Sequence, residues 1–183
     1  MDVYVFGNIF KNLDYIDQNE LNNVITIYGN LFQYVYELTA PKYFTDNEVS
    51  VYTNLVTLDC HNNRQITDAS IVKLNYLAAL DCNKCCNISD VGISEFRNWT
   101  FLNCDRCRNI SDASILELRN LTTLSCGHCK NISDKSIREL KNLTALKCMN
   151  CQNISDTSIM GLNNLTILDC GFCCDISDSS IGK

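Results

Sequence analysis

The sequence has little of what would break it into loops or separate domains. It contains one proline, Pro41, and seven glycines among 183 residues, and no stretch is rich in proline, glycine or serine. No apolar run approaches the roughly 20 residues that a transmembrane helix needs. The chain also lacks a basic surplus. Its formal net charge of −6 argues against a nucleic-acid surface, which needs clustered lysine and arginine.

The N-terminus has no features of a secretory signal, because residues 1–6 have neither a basic start nor a long apolar core. We therefore expect a reducing compartment, the cytoplasm or nucleus, in which most of the 13 cysteines stay free. Eight N-x-[ST] sequons fit this expectation, since a secreted protein would carry glycans there. The sequons start at Asn87, Asn98, Asn109, Asn120, Asn131, Asn142, Asn153 and Asn164.

What the chain does contain is a repeat. From Leu55 onwards one 22-residue pattern occurs six times, most clearly in residues 120–140 and 142–162. Counted from its first leucine, the pattern has Leu or Trp at position 1, Leu at 4, Cys at 6, Ile at 12 and 17, and Leu or Phe at 20. A fixed period of this length predicts a solenoid, in which stacked units bury one another's apolar side chains.

Each unit is predicted to be a strand, a turn and a short helix. Positions 4 and 6 are two apart, so they share one face of a strand. Position 13 is Ser or Thr and position 14 is always Asp, a pattern typical of a helix N-terminus. Positions 17 and 20 have the spacing of one helical face. The predicted fold class is therefore α/β, with a parallel sheet on one side and helices on the other.

The repeat also extends towards the N-terminus. Residues 33–54 are predicted to be a degenerate first unit, in which Phe44 to Tyr52 match positions 12 to 20. Counting back along the 22-residue period places Tyr36 at position 4 and Leu38 at position 6.

These matches divide the chain into a helical segment, residues 1–32, and a repeat region, residues 33–183. The repeat region has five full units over 55–164 and an incomplete last unit over 165–183. That unit stops before position 20 and shows no polar cap. We therefore expect an end-to-end homodimer through its apolar side chains and open strand edge.

Position 9 makes five C-x-x-C pairs with position 6, a pattern that suggests zinc or redox chemistry. The alternative is a structural ladder, in which position 9 satisfies backbone groups in adjacent turns. Asn63 occupies this position in the first full unit. An amide can hydrogen-bond in a ladder but cannot replace a thiolate, so we predict a ladder without metal or cofactor. Its members are Asn63, Cys85, Cys107, Cys129, Cys151 and Cys173.

The pattern L-x-x-L-x-[C/L]-x-x-[NC], followed by a helix, resembles the leucine-rich repeat. More narrowly, C-x-x-I-[ST]-D resembles the cysteine-containing class found in F-box proteins. This resemblance implies a concave sheet surface, the strand face, where positions 3, 5, 7 and 8 project towards a protein partner. These positions vary between units. The predicted partner-binding residues are Asp59, Asp81, Lys84, Phe101, Arg106, His128, Lys147 and Phe172.

Residues 1–32 resemble an F-box, through I-F-x-x-L and a following L-x-x-V-x-x-x-Y, although the usual leading Leu-Pro is missing. An F-box docks on the adaptor subunit of a cullin-type ubiquitin ligase. The resemblance implies a non-enzymatic substrate adaptor, whereas a plain helical cap would leave a free-standing binding module. The predicted contact residues are Ile9, Phe10, Leu13, Leu21, Val24 and Tyr28.

No arrangement of residues indicates an enzyme, since no nucleophile–base pair, phosphate loop or carboxylate dyad is recognisable. His61 and His128 lie three units apart, roughly 14 Å at about 4.8 Å per strand, too far for one site. The remaining alternative is a metal-binding or thiol-redox protein that uses the C-x-x-C pairs. A bias towards Asn, Ile, Lys and Tyr is typical of AT-rich genomes, such as those of large amoebal viruses and some protists.

Overall fold

The computed structural model of the protein describes residues 33, 35–95 and 98–181. In these ranges seven short strands alternate with seven one-turn helices. The strands are β1 Glu37–Thr39, β2 Thr57–Asp59, β3 Ala79–Asp81, β4 Phe101–Asn103, β5 Thr123–Ser125, β6 Ala145–Lys147 and β7 Ile167–Asp169. The helices are α1 Asp46–Val49, α2 Asp68–Ile71, α3 Asp90–Ser94, α4 Asp112–Ile115, α5 Asp134–Ile137, α6 Asp156–Ile159 and α7 Asp178–Ile181.

The seven strands form one parallel sheet in chain order. The register is constant, so that Leu58 pairs with Leu80 and Leu80 with Leu102. Because each unit repeats the last, every side chain has its equivalent in the next unit, one strand spacing of about 4.8 Å away. This is the architecture of a leucine-rich-repeat solenoid, as the repeat predicts.

One continuous apolar core lies between the sheet and the helices. In the fifth unit Leu124, Ile132 and Ile137 are completely buried, and so is Cys126 at position 6. A buried free thiol packs as a small apolar group, which explains how cysteine replaces leucine there. Trp99 replaces leucine at position 1, and its indole N–H donates to the Ile93 carbonyl at 2.9 Å. The larger ring is therefore buried without an unsatisfied donor.

Each helix covers positions 14 to 17, and α3 extends to position 18. In α5 the Ser133 hydroxyl accepts from the Lys135 amide at 3.2 Å and caps the N-terminus. The chain then continues as a tighter turn, with the Leu140 amide donating to Ile137 at 3.1 Å. A single turn is not stable by itself in water, so packing of positions 17 and 20 on the sheet holds it.

The first unit departs from the expected register. Leu38 pairs with Leu58 and is buried, so it occupies position 4, whereas Tyr36 is 51% exposed. The placement of Tyr36 and Leu38 at positions 4 and 6 is therefore wrong by two residues. Ala40 holds position 6, because its amide donates to the Asp59 carbonyl at 2.7 Å, as position-6 cysteines do in later units.

The physical reason is a shorter turn. Six residues separate Leu38 from Phe44, whereas eight separate Leu58 from Ile66 in the next unit. The Phe44 amide donates to the Pro41 carbonyl at 3.0 Å, which closes a tight turn directly after the strand. The match of Phe44 to position 12 is confirmed. The assignment by the fixed 22-residue period fails only for the residues before the turn.

Residues 1–32 lie outside the described residues, and the predicted F-box-like contacts lie there with them. These are Ile9, Phe10, Leu13, Leu21, Val24 and Tyr28. In the described ranges no helix has the length and apolar character that a membrane span requires.

Candidate binding site on the strand face

The cysteines of positions 6 and 9 form a ladder through the inside of the stack. Each position-9 thiol donates to the position-6 carbonyl of the preceding unit, at 3.0–3.1 Å. The pairs are Cys85 with Cys60, Cys107 with Cys82, Cys129 with Cys104, Cys151 with Cys126 and Cys173 with Cys148. All 13 cysteines are free thiols. The cysteine ladder is thus present as a column of hydrogen bonds between units.

Asn63 shows why an amide fits this column. Its Nδ2 donates to the carbonyls of Pro41 and Phe44, at 2.9 and 3.0 Å. Its Oδ1 accepts from the amides of Gln65 and Ile66, at 2.7 and 3.0 Å. In the described part of the chain no three His, Cys, Asp or Glu side chains converge as metal ligands would. Backbone satisfaction therefore accounts for the C-x-x-C spacing.

The thiols of position 6 from Cys60 to Cys148 have raised pKa values, which favour their protonated form. A hydrogen bond with Cys129, together with burial, raises the pKa of Cys104 well above its usual range. Cys82 is affected in the same way by Cys107. Only Cys86 and Cys174 are exposed. Thiolate formation is thus disfavoured at position 6, whereas hydrogen bonds with Cys60 and Cys126 lower the pKa of Cys85 and Cys151 at position 9.

A second ladder, which the sequence interpretation missed, joins the helix starts. Asp134 accepts from the Ser155 amide at 2.8 Å and from its hydroxyl at 2.5 Å. The same contacts recur from Asp46 with Thr67 to Asp156 with Ser177. Hydrogen bonds from Ser177 lower the pKa of Asp156 to about 2. The constant Asp therefore links units, besides favouring the helix N-terminus, and its presence in every unit was the available signal.

Two more ladders explain the sequons. The Asn109 amide nitrogen donates to the Cys86 carbonyl at 2.7 Å, and Asn142 donates to the Arg119 carbonyl at 2.9 Å. The Thr144 hydroxyl donates to the Thr122 carbonyl at 3.0 Å. A glycan would consume the amide nitrogen that makes these bonds, so stacking explains why Asn and Ser or Thr recur at this spacing.

The strand face lies above these ladders, and it varies where they do not. Its rim is position 8, the second central residue of the turn after each strand. Every residue there has a left-handed backbone, with φ between 57° and 63°. These residues are Asn62, Lys84, Arg106, His128, Asn150 and Phe172. Asparagine tolerates this conformation, whereas Lys, Arg, His and Phe each cost roughly 1 kcal/mol. The two asparagines were the sequence signal for this turn.

A notch of about 280 Å³ opens in the middle of the strand face. Its floor is made by small residues, Ser125 on β5 and Gly127 just after it, both buried. Asp105 lies beside them, and its Oδ1 accepts from the Ser125 hydroxyl at 2.8 Å and the Gly127 amide at 2.6 Å. The notch is lined further by Asn83, Lys84, Arg106, His128, Lys147, Met149 and Asp169.

Four predicted partner-binding residues are thus brought together at this notch: Lys84, Arg106, His128 and Lys147. Arg106 Nη2 lies 3.3 Å from His128 Nε2, and the Asn150 amide lies 3.0 Å from His128 Nδ1. Among the described residues no carboxylate is within ion-pair distance of Lys84, Arg106 or Lys147. The notch therefore presents cations that the protein itself leaves unpaired.

The other predicted residues lie elsewhere on the same face. Asp59 accepts from His61 Nδ1 at 2.7 Å, and this contact raises the pKa of His61. Asp81 accepts from the Asn103 amide nitrogen at 2.8 Å. Phe101 and Phe172 are exposed, on β4 and after β7. None of these four predicted residues lines the notch.

Three solved structures place the fold among leucine-rich-repeat proteins. Internalin C2 of Listeria monocytogenes shares 22% identity, with 94% of this chain and 91% of that chain covered and a TM-score of 0.66. The yeast Rad7–Elc1 complex shares 19% identity, with 84% and 48% covered and a TM-score of 0.65. The functional domain of InlJ from L. monocytogenes, which includes a cysteine ladder, shares 23% identity, with 71% and 33% covered and a TM-score of 0.50.

The protein spans nearly all of the internalin C2 chain, about half of the Rad7–Elc1 chain and a third of the InlJ chain. The sequence matches no protein-family model and no curated protein. At these identities the structures establish the solenoid fold and leave function to the chain's own surface.

Proposed function

We propose that the protein is a non-enzymatic scaffold that binds a protein partner on its strand face. The observation that carries the proposal is the contrast between a constant interior and a variable face with unpaired charges. Leucine, isoleucine and cysteine recur in the interior of every full unit and aspartate recurs at position 14, whereas positions 3, 5 and 8 change from unit to unit. Phe101, Arg106 and Lys147 occupy such positions and are exposed, and aromatic residues and arginine are the side chains that most often anchor interfaces.

The N-terminal segment gives this scaffold a second proposed role. Its resemblance to an F-box supports a substrate adaptor, with residues 1–32 docking on the adaptor subunit of a cullin-type ubiquitin ligase and the strand face holding the substrate. If the segment is only a helical cap, the chain is a free-standing binding module. The origin in a large amoebal virus or protist, the cytoplasmic or nuclear location and the homodimer all stay predictions.

A pull-down with the purified ligase adaptor subunit separates these two roles. We expect the full chain to retain the adaptor, and the Phe10→Ala, Leu13→Ala double variant to lose it. The neighbouring substitution Lys11→Ala serves as the control and should leave binding intact. Absence of adaptor binding by the unmodified chain would remove the adaptor role and leave the free-standing module.

The strand-face role is tested by selecting binders to the full chain from a displayed peptide library. Phe101→Ala on the strand face should weaken the binding of the selected peptides, because it removes an exposed aromatic side chain that would anchor them. Val91→Ala, on the helix side and 60% exposed, removes a similar apolar side chain and should have no effect. Peptides that are indifferent to substitutions on the strand face would contradict the proposal.

A further inference from the structure

The three consecutive position-8 residues beside the notch are Lys84, Arg106 and His128, which we call the cationic row for its lysine and arginine. They follow β3, β4 and β5, so the row spans two strand spacings, about 10 Å. Lys147 adds a fourth basic side chain across the notch. Like charges at this separation repel one another. In the described ranges none of Lys84, Arg106 and Lys147 has an ion-pair partner that offsets the repulsion.

The backbone makes the same residues unfavourable for a second reason. Lys84, Arg106 and His128 have φ of 61°, 63° and 61°, in the left-handed region that asparagine or glycine would occupy with less strain. The equivalent positions in the units on either side of the row are Asn62 and Asn150. The fold therefore works with asparagine at position 8. Three of its four departures from asparagine are basic residues that line the notch, and the fourth is Phe172. Strained residues of this kind often serve a function.

Asp105, a carboxylate that lines the notch, does not form an ion pair with the row. Asp105 follows β4 and precedes Arg106, yet its Oδ1 is occupied by the Ser125 hydroxyl and the Gly127 amide. The Arg106 guanidinium is turned towards His128 instead, at 3.3 Å. Asp105 thus shapes the floor of the notch, while the cations at its rim stay available to a ligand.

Resting on the proposed function, we propose that the notch and the cationic row bind an acidic segment of the partner protein. One carboxylate enters the notch between Lys147 and Arg106, and further carboxylates follow the row towards Lys84. An extended chain rises about 3.3 Å per residue, so a stretch of about three residues spans the row. Side chains at alternate residues face the same side, which favours acidic residues two apart.

Charges elsewhere on the face favour a protein segment over a nucleic acid. Asp59 and Asp81 lie on β2 and β3, at the Lys84 end of the row, and Asp169 on β7 lines the notch beside Lys147. The chain as a whole has a net charge of −6. A polyphosphate backbone that crossed the face would meet these carboxylates, whereas a short acidic stretch with neutral or basic neighbours would not.

Fluorescence anisotropy with the full chain tests this inference. The probes are a short labelled peptide with glutamates at alternate positions, its glutamine counterpart and a labelled single-stranded RNA. We expect saturable binding of the glutamate peptide that weakens as salt rises, and binding of the glutamine peptide weaker by about tenfold or more. Preferential binding of RNA, or no saturable binding of the glutamate peptide, would overturn the inference.

The Lys84→Asn, Arg106→Asn double variant identifies the site. It should weaken binding of the glutamate peptide by about tenfold or more. The melting temperature should stay level or rise by about 2–4 °C, because asparagine relieves the backbone strain. The control is Lys73→Asn with Lys135→Asn, which removes two exposed positive charges from the helix side. Equal weakening by both double variants would show non-specific attraction and overturn the inference.

The outcome is separable from that of the scaffold proposal. If the library peptides lose binding to the Phe101 variant but keep it to the Lys84 and Arg106 variant, the strand-face scaffold is supported and the preference for acidic segments is contradicted. If peptide binding is unchanged in both variants, both the strand-face scaffold and the acidic specificity are contradicted.

Discussion

The inside of the stack and its strand face are built from the same 22-residue unit, yet they follow opposite rules. Within the stack, polar groups bond to the neighbouring unit, through the thiol ladder in the interior and the amide, hydroxyl and carboxylate ladders nearer the surface. On the strand face of the described chain, Lys84, Arg106 and Lys147 have no ion-pair partner, and bulky residues occupy left-handed backbone. The difference teaches where each region's sequence is constrained. Stacking restricts the interior to residues that match the next unit, whereas the face is free to serve a ligand.

The largest expected loss of stability comes from truncating a buried side chain in the interior. Leu124→Ala should lower the free energy of unfolding by about 2–5 kcal/mol, because Leu124 is completely buried and its loss leaves a cavity. Its strand neighbour Thr123 points to the strand face, and Thr123→Ala should change stability by less than about 0.5 kcal/mol. Urea denaturation measures both. Similar losses of unfolding free energy in the two variants would contradict the distinction between the interior and the strand face.

A smaller loss of stability is expected when one aspartate of the ladder between helix starts is replaced. Asp134→Asn should cost about 1–3 kcal/mol, since an amide cannot accept from both the amide and the hydroxyl of Ser155. Asp175→Asn is the matched control, because the Asp175 carboxylate is exposed and accepts no hydrogen bond in the described part of the chain. Denaturant midpoints at neutral pH compare the two, and an equal loss in both would remove the ladder as the cause.

The same ladder predicts the acid dependence of stability. Although burial alone would raise it, the pKa of Asp134 is lowered by hydrogen bonds from Ser155 and Ser158, and that of Asp156 is lowered to about 2. A lowered folded-state pKa means that this stabilisation is complete above the unfolded value of about 3.9 and is lost as pH falls below it. Midpoints measured from neutral pH to pH 2 should therefore drop below pH 4, and less steeply in Asp134→Asn.

The smallest of these effects belongs to the thiol ladder. Cys129→Ala should cost about 1 kcal/mol, the loss of one thiol and its bond to the Cys104 carbonyl. Cys174→Ala, on an exposed turn, should leave stability unchanged. Thiol labelling of the native protein should modify Cys86 and Cys174 first. Stoichiometric zinc or iron in the purified protein, released on Cys129→Ala, would instead establish the metal alternative.

Much of the interior could be read from the chain because it repeats. Six copies of Leu at position 4 and Ile at position 17 predict which side chains are buried, and Asn63 among the cysteines predicts a ladder. The first unit was misread where the repeat changes length, because a turn closed at Pro41 replaces the longer one and a fixed count cannot detect it. The Asp ladder was missed because a single unit shows Asp134 only beside its own helix start.

By itself, the sequence determined the solenoid, the order of its strands and the identity of its core, since periodic apolar residues can be buried only by stacking equal units. Only the tertiary structure decided which face residues meet. Lys84, Arg106, His128 and Lys147 lie up to 63 residues apart in the chain, and a notch forms between them because Ser125 and Gly127 are small where their neighbours are larger. The left-handed turn then directs the cations to its rim, a placement that depends on backbone angles and stacking distance rather than on residue type.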